Sequence, residues 1–333
     1  MKQAMLNLMK ATGVFAPFRF ANRDRALIVT YHRLGSNDAM KMSARDFRAQ
    51  IDYLTSRYEI VPLSFIADRI ADKRRLAAIT IDDGYSDAYE IAFPILREYR
   101  VPATLFAATD FIDRKIWMWT DKLRYLTSRA QNELLETTIG NRALRLTLNG
   151  SGSRERAAER INNALKSISE DNKNRAIDQI AESLGVEIPD VPPDDLGPIS
   201  WEQAREMDAA GIEIGSHTVT HPILTNVSRA QLRSELAQSR ERIESILKHK
   251  VDLFCYPNGD YNSEVALEVE RAGYRCAVTV EPGLNDAHSS PFALRRIAAD
   301  SDLAHFVQST SGFEQIKAGF YGVRAKGIRA TGL

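Results

Sequence analysis

The sequence predicts an α/β fold in which about seven parallel strands, each followed by a helix, close into a distorted, TIM-barrel-related (β/α)7 barrel carrying a mainly helical insertion. Short apolar runs recur without alternation, as in strands buried on both faces. Helix start and stop signals separate most of these runs, which implies crossover connections and a mostly parallel sheet. Over one long stretch the rhythm fails.

The strand candidates are 26–31, 76–82, 102–108, 211–216, 251–256, 274–280 and 293–297, rich in Val, Ile, Leu, Phe and Ala. Ser43 precedes Phe47, Ile51, Leu54 and Tyr58, which are spaced for one helix face. Ser200-Trp201-Glu202-Gln203 reads as a capping box, and Gly211 follows that helix as a stop. Ser228 to Gln231 repeats the box before a charged helix reaching about residue 248, and a further helix opens at Asn262 and closes at Gly273. An open doubly wound sheet is the alternative architecture. The glycine-rich turn of dinucleotide folds follows none of the strands, which favours the barrel.

Between residues 112 and 198 lie helical patterns, the turn-forming residues 150–153 and the stretch Pro189-Asp190-Val191-Pro192-Pro193, the marks of an insertion that leaves the barrel and returns. The resulting layout is an N-terminal helical segment (1–24), a barrel domain (25–111 and 199–310), the insertion (112–198) and a tail (311–333). Trp117 and Trp119 open the insertion, where flat rings suit either sugar faces or core packing.

Lys and Arg total 44 against 44 Asp and Glu, so no charge surplus steers the chain toward nucleic acid. Cys255 and Cys276 sit in apolar runs and read as buried free thiols, which fits a reducing compartment. No run reaches the roughly 18–20 apolar residues of a membrane span. The first 20 residues read as an amphipathic helix that packs on the domain or touches a membrane surface, without a convincing signal-peptide cleavage site. These features favour a cytoplasmic location, with a periplasmic or membrane-associated one as the alternative. The tail carries Arg324, Lys326 and Arg329 and no acid after Phe320, and is expected to be frayed or to lie near anionic lipid.

Two motifs carry chemistry. The strand 76–82 runs into Asp82-Asp83-Gly84, and adjacent carboxylates at a buried strand exit are costly unless paired or bound to a cation. Neighbours on an extended chain diverge, so both serve one site only if the strand ends there, and Gly84 permits that. The second is Ser216-His217-Thr218-Val219-Thr220-His221, again at a strand exit, with Pro222 turning His221 away from helical geometry. Either motif alone is equally at home in a turn or on a surface. Together, at the carboxyl end of a barrel, one carboxylate and two imidazoles make a facial set for Zn2+ or a similar divalent ion, with a spare carboxylate left as base.

The chain resembles the polysaccharide deacetylases, carbohydrate esterases with a NodB-homology domain, and especially the branch found with bacterial exopolysaccharide synthesis. The family's first motif, Thr-Phe-Asp-Asp-Gly, corresponds to Thr80-Ile81-Asp82-Asp83-Gly84, and its second to His217 through His221. Similar text runs from Tyr31-His32-Arg33 to Leu294-Arg295-Arg296. The resemblance implies Asp82 as general base and Asp83, His217 and His221 as ligands of a divalent metal, Zn2+ first, with Co2+, Ni2+ or Mn2+ as alternatives. It implies an N-acetylated polysaccharide or glycolipid as substrate.

The family's Arg-x-Pro-Tyr-Gly is replaced by Cys255-Tyr256-Pro257-Asn258-Gly259. Arg296 is expected to take over the orienting of Asp82, and the backbone N–H of Asn258 to hold the oxyanion. Tyr256, Pro257 and Trp119 are the expected substrate contacts. The late Leu-x-His motif is absent, leaving His32 as the candidate acid or substrate contact. These departures keep two other readings in view: a carbohydrate-binding protein with a degenerate site, and an O-acetyl esterase on the same scaffold.

Overall fold

The computed structural model describes residues 2–35, 42–70, 72 and 74–320. Among the described residues ten strands form: β1 (Leu27–Tyr31), β2 (Glu59–Ile60), β3 (Leu76–Ile81), β4 (Ala103–Ala107), β5 (Leu134–Ile139), β6 (Arg142–Thr147), β7 (Ile212–Ser216), β8 (Leu253–Cys255), β9 (Cys276–Val278) and β10 (Ile297–Ala298). Every residue of β1, β3, β4, β8 and β9 is buried, which is why those segments read as continuous apolar runs.

Seven strands follow one another in the order β10-β1-β3-β4-β7-β8-β9, and every neighbouring pair is parallel. The two-residue β2 pairs with the first half of β3, while β4 pairs with its second half. Closure between β9 and β10 is partial. It runs through a bridge from Val278 to Leu294 and the Leu294 N–H to the Ala277 carbonyl at 3.0 Å. The fold is thus the distorted seven-stranded barrel expected. The run 293–297 is a correction: only Ile297–Ala298 is regular strand, because Leu294 spends its backbone on the seam.

Strand alternation sorts side chains into two layers. Ile28, Ala78, Phe106, Cys255, Val278 and Leu294 share one cluster with Leu63 and Ile66 of the helix Leu63–Arg69. Leu27, Val29, Ile79 and Ile81 pack outward against Phe47, Ile51 and Leu54 of the helix Ala44–Thr55. The helix Leu63–Arg69 plugs the amino end of the barrel, its first amides bonded to the Glu213 carboxylate at 2.9 and 3.3 Å.

The helices Trp119–Arg129, Ser153–Leu165 and Glu170–Leu184 have their own core around Leu123, Leu126, Ile161, Ile177 and Ile180. Within this region β5 and β6 pair as an antiparallel hairpin turning at Gly140, which the sequence reading as helical patterns missed. At the amino end, α1 (Lys2–Ala11) packs Leu6 and Met9 on Ala304 and Val307. The helix α2 (Ala16–Ala21) follows, with Phe15 and Phe18 edge-on to Phe313. Part of the expected tail is ordered as the helix Phe313–Phe320; Arg324, Lys326 and Arg329 lie outside the described residues.

Arg229 and Arg233 of the helix Arg229–Leu247 and Arg271 of Ser263–Arg271 all reach Glu268, at 3.0, 2.7 and 2.8 Å. Hydrogen bonds from Arg233 first, then the other two, hold its carboxyl down at about 2. A depressed value makes the contribution to stability complete above the unfolded value of about 4.3. It is lost as pH falls from there through about 2. The melting-temperature gap between wild type and Glu268→Gln is therefore expected to be constant from pH 7 to 5 and to close toward pH 2, as thermal scans across pH would show.

Candidate active site

The adjacent carboxylates converge because the chain kinks between them. Asp82 continues the inward-facing register of Ala78 and Thr80, its N–H bonded to the Tyr31 carbonyl at 3.0 Å. Asp83 and Gly84 are then both left-handed, at φ 75° and 93°, and Gly84 N–H closes back on the Asp82 carbonyl at 3.0 Å. Left-handed geometry at an aspartate costs on the order of 1–2 kcal/mol and turns its carboxylate back toward the barrel mouth. A Cβ at position 84 would meet the Ile112 side chain at 3.3 Å, so glycine also suits the close approach there.

The exit of β7 is built the same way. Thr218 and His221 have φ 71° and 56°, and the His221 N–H is bonded to Thr218 Oγ1 at 3.0 Å. Buried Glu235 holds the turn: its carboxylate accepts the N–H groups of Val219 and Thr220 at 2.8 and 2.9 Å and the Thr220 hydroxyl at 2.6 Å. Sequence reasoning missed Glu235, since nothing separates it from the solvated glutamates of the same charged helix.

These turns bring Asp83 Oδ1 to 3.5 Å from His217 Nε2 and 3.4 Å from His221 Nε2. All three donor atoms lie within 4.8 Å of one another. Ligands about 2.1 Å from a tetrahedral ion stand about 3.4 Å apart, so the set fits a small divalent cation. His217 Nδ1 lies 2.8 Å from the Cys255 carbonyl and donates to it, so Nε2 faces the site. Burial lowers the His217 pKa, but Cys255 and Asp83 outweigh that and raise it well above the usual imidazole range, so a cation there would displace the Nε2 proton. Burial first, then the neighbouring His217, keeps His221 neutral, its value pushed down to about 3. Its Nδ1 is buried without a protein partner among the described residues. A second cluster of Asp82, His217 and Cys255 has comparable spacing, but there Asp82 and Cys255 are already committed to Arg296.

Arg296 is fully buried and spends its donors completely. Nη1 reaches Asp82 Oδ1 at 2.7 Å and Thr80 Oγ1 at 3.0 Å; Nη2 reaches Asp82 Oδ2 at 2.7 Å and Cys255 Sγ at 3.2 Å; Nε reaches the Thr279 carbonyl at 2.7 Å. Burial pushes the Asp82 carboxyl up, but Arg296 and then His32 outweigh it and hold it well below the usual carboxylate range. Arg295 turns the other way, 3.7 Å from Glu281. His32 is half-exposed with Nε2 3.4 Å from Asp82 Oδ2, on the mouth side of the pocket. Asn258 sits left-handed at φ 58° just beyond β8, at the same end of the barrel.

The expected substrate contacts need correction. Tyr256 has no exposed surface; its hydroxyl donates to the Phe292 carbonyl at 2.9 Å and its ring stacks on Tyr261. Pro257 is buried beside it. Trp119 belongs to the core of the inserted helices, with Lys173 Nζ 4.5 Å from its ring centre. All three are buried, Tyr256 and Pro257 just beyond β8 and Trp119 inside the inserted region. The inserted region instead touches both ligand-bearing turns: Asp121 accepts the Tyr85 hydroxyl at 2.5 Å, and Glu170 accepts the Ile223 N–H at 3.1 Å.

Replacing Glu235 with alanine would take away the carboxylate that holds the Val219 and Thr220 N–H groups and free the turn that carries His221. A loss of about 10–100-fold in divalent-metal affinity is expected, the range for groups that orient ligands, and calorimetric titration with Zn2+ would measure it.

Comparison with known proteins agrees with this geometry. The polysaccharide deacetylase family model matches residues 69–277, more than half the chain. YxkH of Bacillus subtilis (strain 168), whose name places it provisionally among the polysaccharide deacetylases, is 23% identical over 275 residues, covering 81% of this chain and 70% of that protein. The Streptococcus pyogenes deacetylase PplD, solved with acetate, superposes with TM-score 0.58 at 17% identity, over 86% of this chain and 98% of its own. A de-N-acetylase from Aggregatibacter actinomycetemcomitans gives 0.53 at 15% identity, over 88% and 99%. With both motifs assembled at one barrel mouth and the family model spanning them, the chain belongs to the polysaccharide deacetylase family.

Proposed function

We propose that this hydrolase is a metal-dependent N-deacetylase, releasing acetate and a free amine from an amino-sugar polymer or glycolipid. The observation that carries the reading is the spacing of Asp83, His217 and His221 at 3.4–3.5 Å, with Asp82 beside them and outside the set. Zn2+ suits one carboxylate and two imidazoles best, and Co2+, Ni2+ or Mn2+ are other ions such donors accept. When bound, the ion supplies Lewis-acid polarisation of the acetyl carbonyl and makes water acidic enough to react near neutral pH.

The chain's own residues do the rest. Asp82, held ionised and aimed by Arg296, takes the proton of the attacking water. The Asn258 N–H receives the oxyanion, a type of interaction worth about 3–4 kcal/mol. His32, the exposed imidazole beside Asp82, returns a proton to the departing amine. The amide bond is favoured over an ester by this provision for a poor leaving group, and the likeness to a de-N-acetylase is in keeping with it. An exopolysaccharide is the substrate class that the resemblance of the motifs suggests.

Acetate and free amine should appear when the zinc-loaded protein meets N-acetylglucosamine oligomers, vanish on chelation and return with Zn2+. His217→Ala should lower zinc affinity by more than the roughly 100-fold upper range for orienting residues. Unchanged turnover in a protein stripped of metal would refute the proposal, and preference for O-acetylated over N-acetylated oligomers would move it to an esterase.

A further inference from the structure

The chain as a whole is neutral, yet its ends are not. Residues 1–25 hold five basic side chains and one acidic, and residues 315–333 hold four basic and none acidic. Among the described residues, α1 packs on the helix Leu303–Thr310 and Phe18 meets Phe313 of the last helix, so the start of the chain lies against the segment that leads into the basic tail. The same region exposes apolar side chains. Met5 and Leu8, one turn apart on the outer face of α1, are 59% and 62% exposed, Phe20 is 59% exposed, and Val14 lies open between the two helices. Scattered exposed apolar residues are ordinary, but four within sixteen positions of one helical segment are a local concentration.

Arg19, Arg57 and Arg75 rim a shallow groove floored by Ala16, Pro17 and Phe20. Arg19 donates to the Tyr53 hydroxyl, Arg57 to the Ser56 carbonyl, and Arg23 lies over the Phe20 ring and donates to its carbonyl. Among the described residues, none of Lys10, Arg19, Arg23, Arg57 and Arg75 has a carboxylate within ion-pair distance. Elsewhere on the surface, pairing is common, as for Arg48 with Glu98 and Arg275 with Asp68.

We infer that this face docks on an anionic lipid bilayer, with Met5, Leu8, Val14 and Phe20 entering the headgroup boundary and the unpaired cations meeting lipid phosphates. A cationic rim around exposed apolar side chains is the arrangement of helices that lie in a membrane interface. Each cation near such a surface is worth about fivefold in partitioning. A second copy of this face would bring like charges together, and a nucleic-acid backbone would leave the aliphatic side chains without a partner. No helix among the described residues is long and apolar enough to cross the bilayer.

Co-sedimentation of the full-length protein with vesicles of phosphatidylcholine alone, or mixed with phosphatidylglycerol, tests this. Binding is expected to the mixed vesicles only and to weaken with salt. It should fall about fivefold for each of Arg57→Ser and Arg75→Ser, and more than about tenfold for the pair Leu8→Glu and Phe20→Glu, which removes two buried apolar groups. All four positions are far from the pocket, so acetate release from soluble oligomers should not change, and unaltered melting would show the variants fold. Equal sedimentation with neutral vesicles, none with mixed ones, or wild-type behaviour of the variants would overturn the inference. So would light scattering that shows self-association abolished by Phe20→Glu in the absence of vesicle binding.

Discussion

Arg296→Met is expected to destabilise the fold by about 3–5 kcal/mol, the range for removing one partner of a buried ion pair. The guanidinium has no exposed surface and all of its donor directions are occupied. Its loss strands the Asp82 carboxylate, which is 1% exposed, with long contacts to Thr30 at 3.4 Å, Cys255 at 3.6 Å and the half-exposed His32 at 3.4 Å. It also removes the Nε bond to the Thr279 carbonyl at 2.7 Å, just beyond β9. Lysine would not rescue it, because a single ammonium cannot present the fork that matches both carboxylate oxygens. The double variant Asp82→Asn, Arg296→Met should be more stable than Arg296→Met alone, since no uncompensated charge then remains. Urea denaturation of the four proteins gives the cycle. A loss below 1 kcal/mol for Arg296→Met would mean that the pair is not what holds the site.

Asp82→Asn should cut acetate release by about 10²–10⁴-fold, the contribution of a positioned general base, while divalent-metal content stays at the wild-type level. Asp83→Asn should instead lose the metal. The two aspartates are chemical neighbours with unlike surroundings. Asp82 faces Arg296, Thr30 and His32, whereas Asp83 faces His217 and His221. The division of labour therefore predicts opposite outcomes in metal analysis for substitutions one residue apart. A fully active Asp82→Asn protein with bound metal would remove the base assignment.

Much of this was legible in the sequence, for a physical reason. Strands buried on both faces must be apolar throughout, so β1, β3 and β4 declared themselves, and turns that hold two imidazoles or two carboxylates need rare residue patterns. Arg296 was readable because the loss of arginine at Cys255 leaves the buried Asp82 requiring another cation. The hairpin of β5 and β6 was not, since short half-buried strands in a surface region compete with helix patterns of the same composition. Tyr256 and Trp119 were misplaced because an aromatic side chain looks the same in sequence whether it faces sugar or packs beneath a wall. Glu235 was invisible because its partners are main-chain groups, which leave no mark on residue type.

A barrel whose strands all run one way has two unlike ends. Here Asp82, Asp83, His217 and His221 occupy the carboxyl end, while the helix Leu63–Arg69 plugs the amino end and α2 lies beside Arg57 and Arg75, which lead into β2 and β3. Whatever the amino end rests on, the mouth lies at the opposite end of the barrel. A molecule docked by that end would present its pocket to chains arriving from the aqueous side.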